Sequence, residues 1–161
     1  MIKIFDKSVS DSDIQKIYNF CKLQKYSRGE RDNPHNPPTG LVSDLNNEEI
    51  IKILTRNLKG INYKIYRSYI NLFLPYEKPY YHKDETDINA RTLLYYVNSE
   101  ALNIDDEGET YFIDRGMISG FSPLPGRIIF FSGNILHKAV PFRSKDRYTI
   151  AIKMKVQNGN N

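Results

Sequence analysis

The stretch YKIYRSYINLFLP at 63–75 is crowded with Ile, Tyr and Phe and stops at a proline. Such β-branched and aromatic residues suit a pleated, half-buried surface. Four later runs share its character: RTLLYYVN (91–98), ETYFID (109–114), GRIIFFSG (126–133) and RYTIAIKMKV (147–156). Pro, Gly, Asn and Asp separate them and mark turns. Upstream the pattern differs. In SDSDIQKIYNFCKL (10–23), Ile14, Ile17, Tyr18 and Cys21 fall at helical spacing, with Ser10 or Asp11 placed to cap the first turn. In NEEIIKILTRNL (47–58), acidic residues open the first turn and Gly60 follows the end, which predicts a second helix. Two helices followed by many short strands predict an α+β, mainly β chain, with a barrel or sandwich core and the helices packed on its outer face.

The chain has 161 residues, of which 40% are hydrophobic and 26% charged. That is globular composition, with enough chain for one core. We expect one domain over 1–161, with a helical part over about 1–60 and the β core over about 61–156. Cys21 is the only cysteine, which excludes an intrachain disulfide, a zinc–thiolate cage and an iron–sulfur cluster. No run approaches the roughly 18 apolar residues that span a membrane, and the start has no basic head before an apolar core. This predicts a soluble protein of the cytoplasm. Richness in Lys, Ile, Asn and Tyr fits an AT-rich genome, hence a bacterial cell or a virus-infected host. The net charge of +4 invites a nucleic-acid reading. The basic residues are spread along the chain, however, and read better as a solvated surface. QNGNN (157–161) reads as a frayed tail.

The chemistry starts in YYHKDE (80–85), read as part of a strand. Side chains two apart on a strand share a face, so His82 and Asp84 project together. His137 follows in GNILHKAVPF (133–142). A His-x-Asp with one remote His is the two-histidine, one-carboxylate facial triad, which leaves open iron positions for substrate and oxygen. Arg147 opens the last strand. Its planar fork suits a carboxylate and can hold the far end of a dicarboxylate that chelates the metal. His35 sits among Asn and Pro and reads as a loop histidine.

These pieces resemble the iron(II) and 2-oxoglutarate-dependent dioxygenases, within them the prolyl 4-hydroxylase-like branch. HKD resembles the family's first ligand pair, and RTLLYYVN a strand ending Tyr-Leu-Asn. EGET (107–110) is similar to a Gly-Gly-Glu-Thr turn, PLPGRIIFFSGNILHKAVP (123–141) to the strand leading to the distal histidine, and RYTIAIK to the strand bearing the co-substrate's basic residue. The resemblance implies a double-stranded β-helix, or jelly roll, with iron held by His82, Asp84 and His137. It further implies that Arg147 binds the C5 carboxylate of 2-oxoglutarate beside Tyr96, with ascorbate as a further cofactor. The activity implied is hydroxylation of a C–H bond, above all of a peptidyl proline, consuming O2 and releasing succinate and CO2, by a monomer or homodimer.

Glu107 replaces the family's first turn glycine, and many prolyl hydroxylases have lysine where Arg147 stands, which leaves the substrate open. A small-molecule hydroxylase remains an alternative. A nucleic-acid demethylase is disfavoured, since Lys153 stands where those enzymes carry a second arginine. A non-catalytic β-barrel binding module is the distant alternative. The segment 28–45 is long enough to form a lid at the substrate entrance, with Glu109 and Arg127 as further candidates for lining it; a plain surface loop is the competing reading.

Overall fold

A computed structural model describes residues 1–28 and 31–157. Gly29 and Glu30 of the 28–45 segment, and 158–161 of the expected tail, lie outside the described residues.

Both helices form where their caps put them. Helix α1 (Asp11–Lys22) starts where the Ser10 hydroxyl accepts from the Asp13 amide at 3.2 Å, and it buries Ile14, Ile17 and Cys21 on one face. Burial pushes the Cys21 thiol up to about 12, which makes it an inert core residue. Helix α2 (Glu48–Thr55) starts where the Asn47 side chain accepts from the Ile50 amide at 3.1 Å, and tightens into a 3-10 turn over Arg56–Leu58.

The strands are β1 (Ile2–Phe5), β2 (Leu41–Asp44), β3 (Tyr63–Phe73), β4 (Ala90–Tyr96), β5 (Thr110–Asp114), β6 (Met117–Phe121), β7 (Ile128–Ser132), β8 (Leu136–Ala139) and β9 (Arg147–Val156). Six form one sheet in the order β1-β7-β4-β9-β3-β2, and three form a second in the order β6-β5-β8, all antiparallel. Period-two alternation divides the core. Leu93 and Tyr95 of β4, with Ile150 and Ile152 of β9, face outward onto Ile14, Ile17, Ile50 and Leu54 of the helices. Each such buried aliphatic side chain contributes about 1.5–3 kcal/mol, so this layer fixes the helices to the sheet. Leu94, Tyr96, Ile129, Phe131 and Ala151 face inward, where Phe112 of the small sheet meets the Phe131 ring edge-on at 4.9 Å.

This is the mainly β, jelly-roll arrangement expected, with the helices outside, but the two sheets face one another without closing into a barrel. Three local expectations need correction. The 28–45 segment ends in β2, which pairs with β3 from Leu41↔Leu72 to Asp44↔Tyr69. Residues 80–85 form no strand: an isolated bridge at His82 and amide bonds from Asp84 and Glu85 to Gly133 O hold them. Besides β2, two further strands were not foreseen, β1 because it is only four residues long and β6 because its side chains are mostly exposed. The signal for β6 was the Arg115–Gly116 turn, where both residues have positive φ as a tight hairpin requires. Among the described residues no helix is long and apolar enough to cross a membrane.

Candidate metal and co-substrate site

The site is built where segment 80–85 docks on β8. The His82 amide donates to the His137 carbonyl at 2.9 Å, and the His137 amide donates back at 2.9 Å. Residues that exchange both bonds lie directly opposite with side chains on one face, and the two imidazole centroids are 4.5 Å apart. The Asp84 amide donates to Gly133 O at 2.9 Å, which returns the aspartate to the same side. Its Oδ1 lies 3.6 Å from Nε2 of His82 and 3.6 Å from Nε2 of His137. One donor atom from each residue lies within 4.8 Å of the others.

The protonation pattern suits a metal. His82 Nδ1 lies 3.1 Å from Tyr80 O, and His137 Nδ1 lies 2.9 Å from Ile135 O. A carbonyl only accepts, so Nδ1 carries the proton and Nε2 keeps a lone pair aimed at the cluster. Burial pulls His137 down to about 4, so it is neutral at ordinary pH. Burial pulls His82 down too, but the bond and charge of Asp84, with Asp32, outweigh it and leave His82 above its usual value. Burial also opposes ionisation of Asp84, yet Lys153 and His137 hold it well below the usual carboxylate range. A ligating imidazole must be neutral, so His82 would release its proton as a metal binds; two imidazoles and one carboxylate make a donor set that fits Fe(II).

Arg147 lies at one end of the same cavity, which has a volume of about 260 Å³. It is only 1% exposed. Its Nε donates to Gly108 O at 2.9 Å and its Nη2 to Thr110 Oγ1 at 3.0 Å, while the rings of Tyr96 and Phe73 flank the guanidinium at 5.5 and 5.9 Å. Among the described residues it forms no ion pair with a carboxylate. A buried guanidinium held only by neutral groups is a site for an anion. Gly108 makes this placement possible: its φ is +97°, and a Cβ there would lie 2.2 Å from Phe142 Cε1. Gly108→Ala combines left-handed strain with a ring clash, so we expect a loss of about 2–4 kcal/mol, read as a lower thermal midpoint. An unchanged midpoint would show that Phe142 yields freely.

Other expected residues fall elsewhere. Tyr96 is on the inward face, as parity requires, but it stands behind Arg147 rather than lining the cavity, and its hydroxyl donates to Phe121 O at 2.8 Å. Glu109 and Arg127 do not line the cavity. Arg127 is spent on Asp6, with Nε donating to Oδ1 at 2.6 Å, and on Ser122 O. Glu107, in the left-handed region at φ +62°, pairs with Arg143 away from the mouth. His35 is absent from the lining, but Arg31, Asp32 and Thr39 of the 28–45 segment are part of it. Asp32 accepts from the Tyr80 amide at 2.6 Å and from Thr39 Oγ1 at 3.1 Å, with its other oxygen 3.3 Å from His82 Nδ1. Sequence reasoning missed Asp32, Thr92, Thr110 and the position of Lys153. Parity on β4 and β9 could have placed Thr92 and Lys153, since both lie on the faces of Tyr96 and Arg147.

No family model matches the sequence, and no curated protein does. Solved structures do. The chain is similar to a 2OG-Fe(II) oxygenase family oxidoreductase from Burkholderia pseudomallei (TM-score 0.76, 16% identity, covering 99% of this chain and 87% of that one). It is similar to the viral collagen prolyl hydroxylase of Paramecium Bursaria Chlorella virus-1, solved with 2OG (TM-score 0.69, 18% identity, 96% of each chain). It is also similar to HygX from Streptomyces hygroscopicus with nickel, 2-oxoglutarate and hygromycin B bound (TM-score 0.72, 7% identity, 96% of this chain and 82% of that one). The chain therefore has the fold of the 2-oxoglutarate and Fe(II) oxygenases, prolyl hydroxylases among them.

Proposed function

We propose that the protein is an Fe(II)- and 2-oxoglutarate-dependent dioxygenase that hydroxylates a peptidyl proline and releases succinate and CO2. One observation carries this reading: three side chains able to ligate a metal and a buried arginine that, among the described residues, is ion-paired to no carboxylate face one cavity. His82 and His137 hold iron through Nε2 and Asp84 holds it through Oδ1. Arg147 takes the C5 carboxylate of 2-oxoglutarate, with Tyr96 packed behind it. The bound iron and co-substrate supply the oxidising chemistry, and ascorbate serves as reductant; the chain binds, orients and excludes water. Asp32, Thr39 and Arg31 close the mouth over the site.

The proline reading is supported by the likeness of RTLLYYVN and EGET to prolyl hydroxylases. Tyr66 and Tyr69 in the lining support it as well, since aromatic walls suit proline-rich extended chains. Lys153 stands where nucleic-acid demethylases carry a second arginine, which argues against a demethylase. The test is succinate formation with Fe(II) and 2-oxoglutarate, screened against proline-containing peptides, oligonucleotides and free amino acids. Proline peptides should stimulate turnover, and deleting 34–38 should lower that stimulation while substrate-free decarboxylation persists. Stimulation by amino acids or oligonucleotides alone would remove the proline reading, and unaffected coupled turnover in the deletion would remove the lid.

A further inference from the structure

Lys153 lies six positions after Arg147 on the same face of β9, at the other end of the cavity. It is 7% exposed, and its Nζ contacts Asp84 Oδ2. Thr92, its partner in the β4–β9 register, donates its hydroxyl to the same Oδ2 at 2.5 Å and lies 3.3 Å from the ammonium. Asp84 is therefore divided. Oδ1 faces the two imidazole Nε2 atoms, while Oδ2 is taken up by a hydroxyl and a cation. Burying an ammonium is costly, and among the described residues Asp84 is its carboxylate partner.

Two physical consequences follow if a divalent ion binds at the triad. An oxygen already engaged by two donors cannot also ligate, so Asp84 binds through Oδ1 alone and three octahedral positions stay open. A cation in the same desolvated cavity also repels the metal ion and attracts the dianionic co-substrate, at short range and with little screening. We propose that Lys153 is a positioning residue of the metal centre, which restricts Asp84 to one-oxygen ligation and weakens metal binding in favour of 2-oxoglutarate binding. This rests on the metal site proposed above.

A merely structural lysine makes a different prediction. If Lys153 only neutralised a buried carboxylate, its loss would weaken the fold and both ligands together. Under the proposal the two affinities move in opposite directions. The experiment is titration of the full chain with Co(II), then of the Co(II) form with 2-oxoglutarate, following heat and visible absorption. In Lys153→Met, Co(II) should bind about tenfold tighter or more and 2-oxoglutarate about tenfold weaker or more. The Co(II) absorption should shift as Asp84 swings to two-oxygen ligation and its second oxygen takes a position otherwise held by water. Lys153→Arg should restore both affinities and the spectrum. Thr92→Val frees the same oxygen without changing charge and keeps the test open should the methionine variant not fold: it should shift the Co(II) spectrum and tighten metal binding by a smaller factor. Wild-type spectra and affinities in every folded variant, or a parallel loss of both ligands, would overturn the role of Lys153. Failure of the wild-type chain to bind Co(II), or equal binding by His137→Ala, would overturn the metal site itself and this role with it.

Discussion

Replacing His137 by alanine should strip iron from the protein, and replacing His82 should do the same. Each would supply one of three donors that, among the described residues, lie within 4.8 Å of one another. Losing even an outer partner of a metal ligand costs about 10–100-fold in affinity, so losing the ligand itself should cost more than about 100-fold. The local frame survives, because the bridge that pairs residues 82 and 137 is made by main-chain groups. His137 is nonetheless packed against the Phe112 and Phe131 rings, with centroids at 5.7 and 4.8 Å. Truncation leaves a cavity and a stability loss of a few kcal/mol. His137→Gln fills more of that space and separates the two effects: it should recover stability without recovering iron. His35→Ala is the control, since that histidine lies outside the cavity lining. Anaerobic loading followed by metal analysis gives iron per chain, and iron retained in both His82→Ala and His137→Ala would sink the assignment.

Much of this site could be read along the chain because its parts obey local rules. Ser10 and Asn47 cap their helices with their own side chains. Period-two alternation on β4 sets Tyr95 and Tyr96 on opposite faces, and the structure has Tyr95 under the helices and Tyr96 inward. What escaped depends on which distant strands become neighbours. Arg127 was a candidate for the substrate entrance, but β1 pairs with β7 and brings Asp6 to it. The Tyr96 hydroxyl was assigned to the co-substrate, but the unforeseen β6 presents Phe121 O to it. His82 and Asp84 share a side, though not as members of a strand: Gly133 and His137 hold their backbone on a segment otherwise without regular pairing. Lys153 stood out only as a departure from the demethylase pattern. Its engagement with Asp84 arises from the long-range register that sets it opposite Thr92.

Arg147→Met should abolish 2-oxoglutarate binding while leaving the unliganded protein as stable as wild type, or more so. The guanidinium is buried among Gly108 O, Thr110 Oγ1 and two aromatic rings; among the described residues no carboxylate ion-pairs with it, and the charge of Glu109 offsets its desolvation in part. Replacing such a buried charge by an apolar side chain of similar length is often neutral or stabilising, and residues kept for function rather than stability commonly behave this way. Binding moves in the other direction. A carboxylate that enters this pocket and loses its charged partner loses about 2–5 kcal/mol, which is about thirtyfold to several thousandfold in affinity. The readout is a thermal melt with and without co-substrate on the metal-loaded chain. A ligand that binds only the folded state raises the midpoint with its concentration, so wild type should shift with 2-oxoglutarate and Arg147→Met should not, with iron retained in both. Arg147→Lys keeps the charge without the fork and should fall between them. A midpoint in Arg147→Met that still climbs with 2-oxoglutarate would hand the carboxylate to another cation, and Lys153, at the far end of the same cavity, is the one to test next.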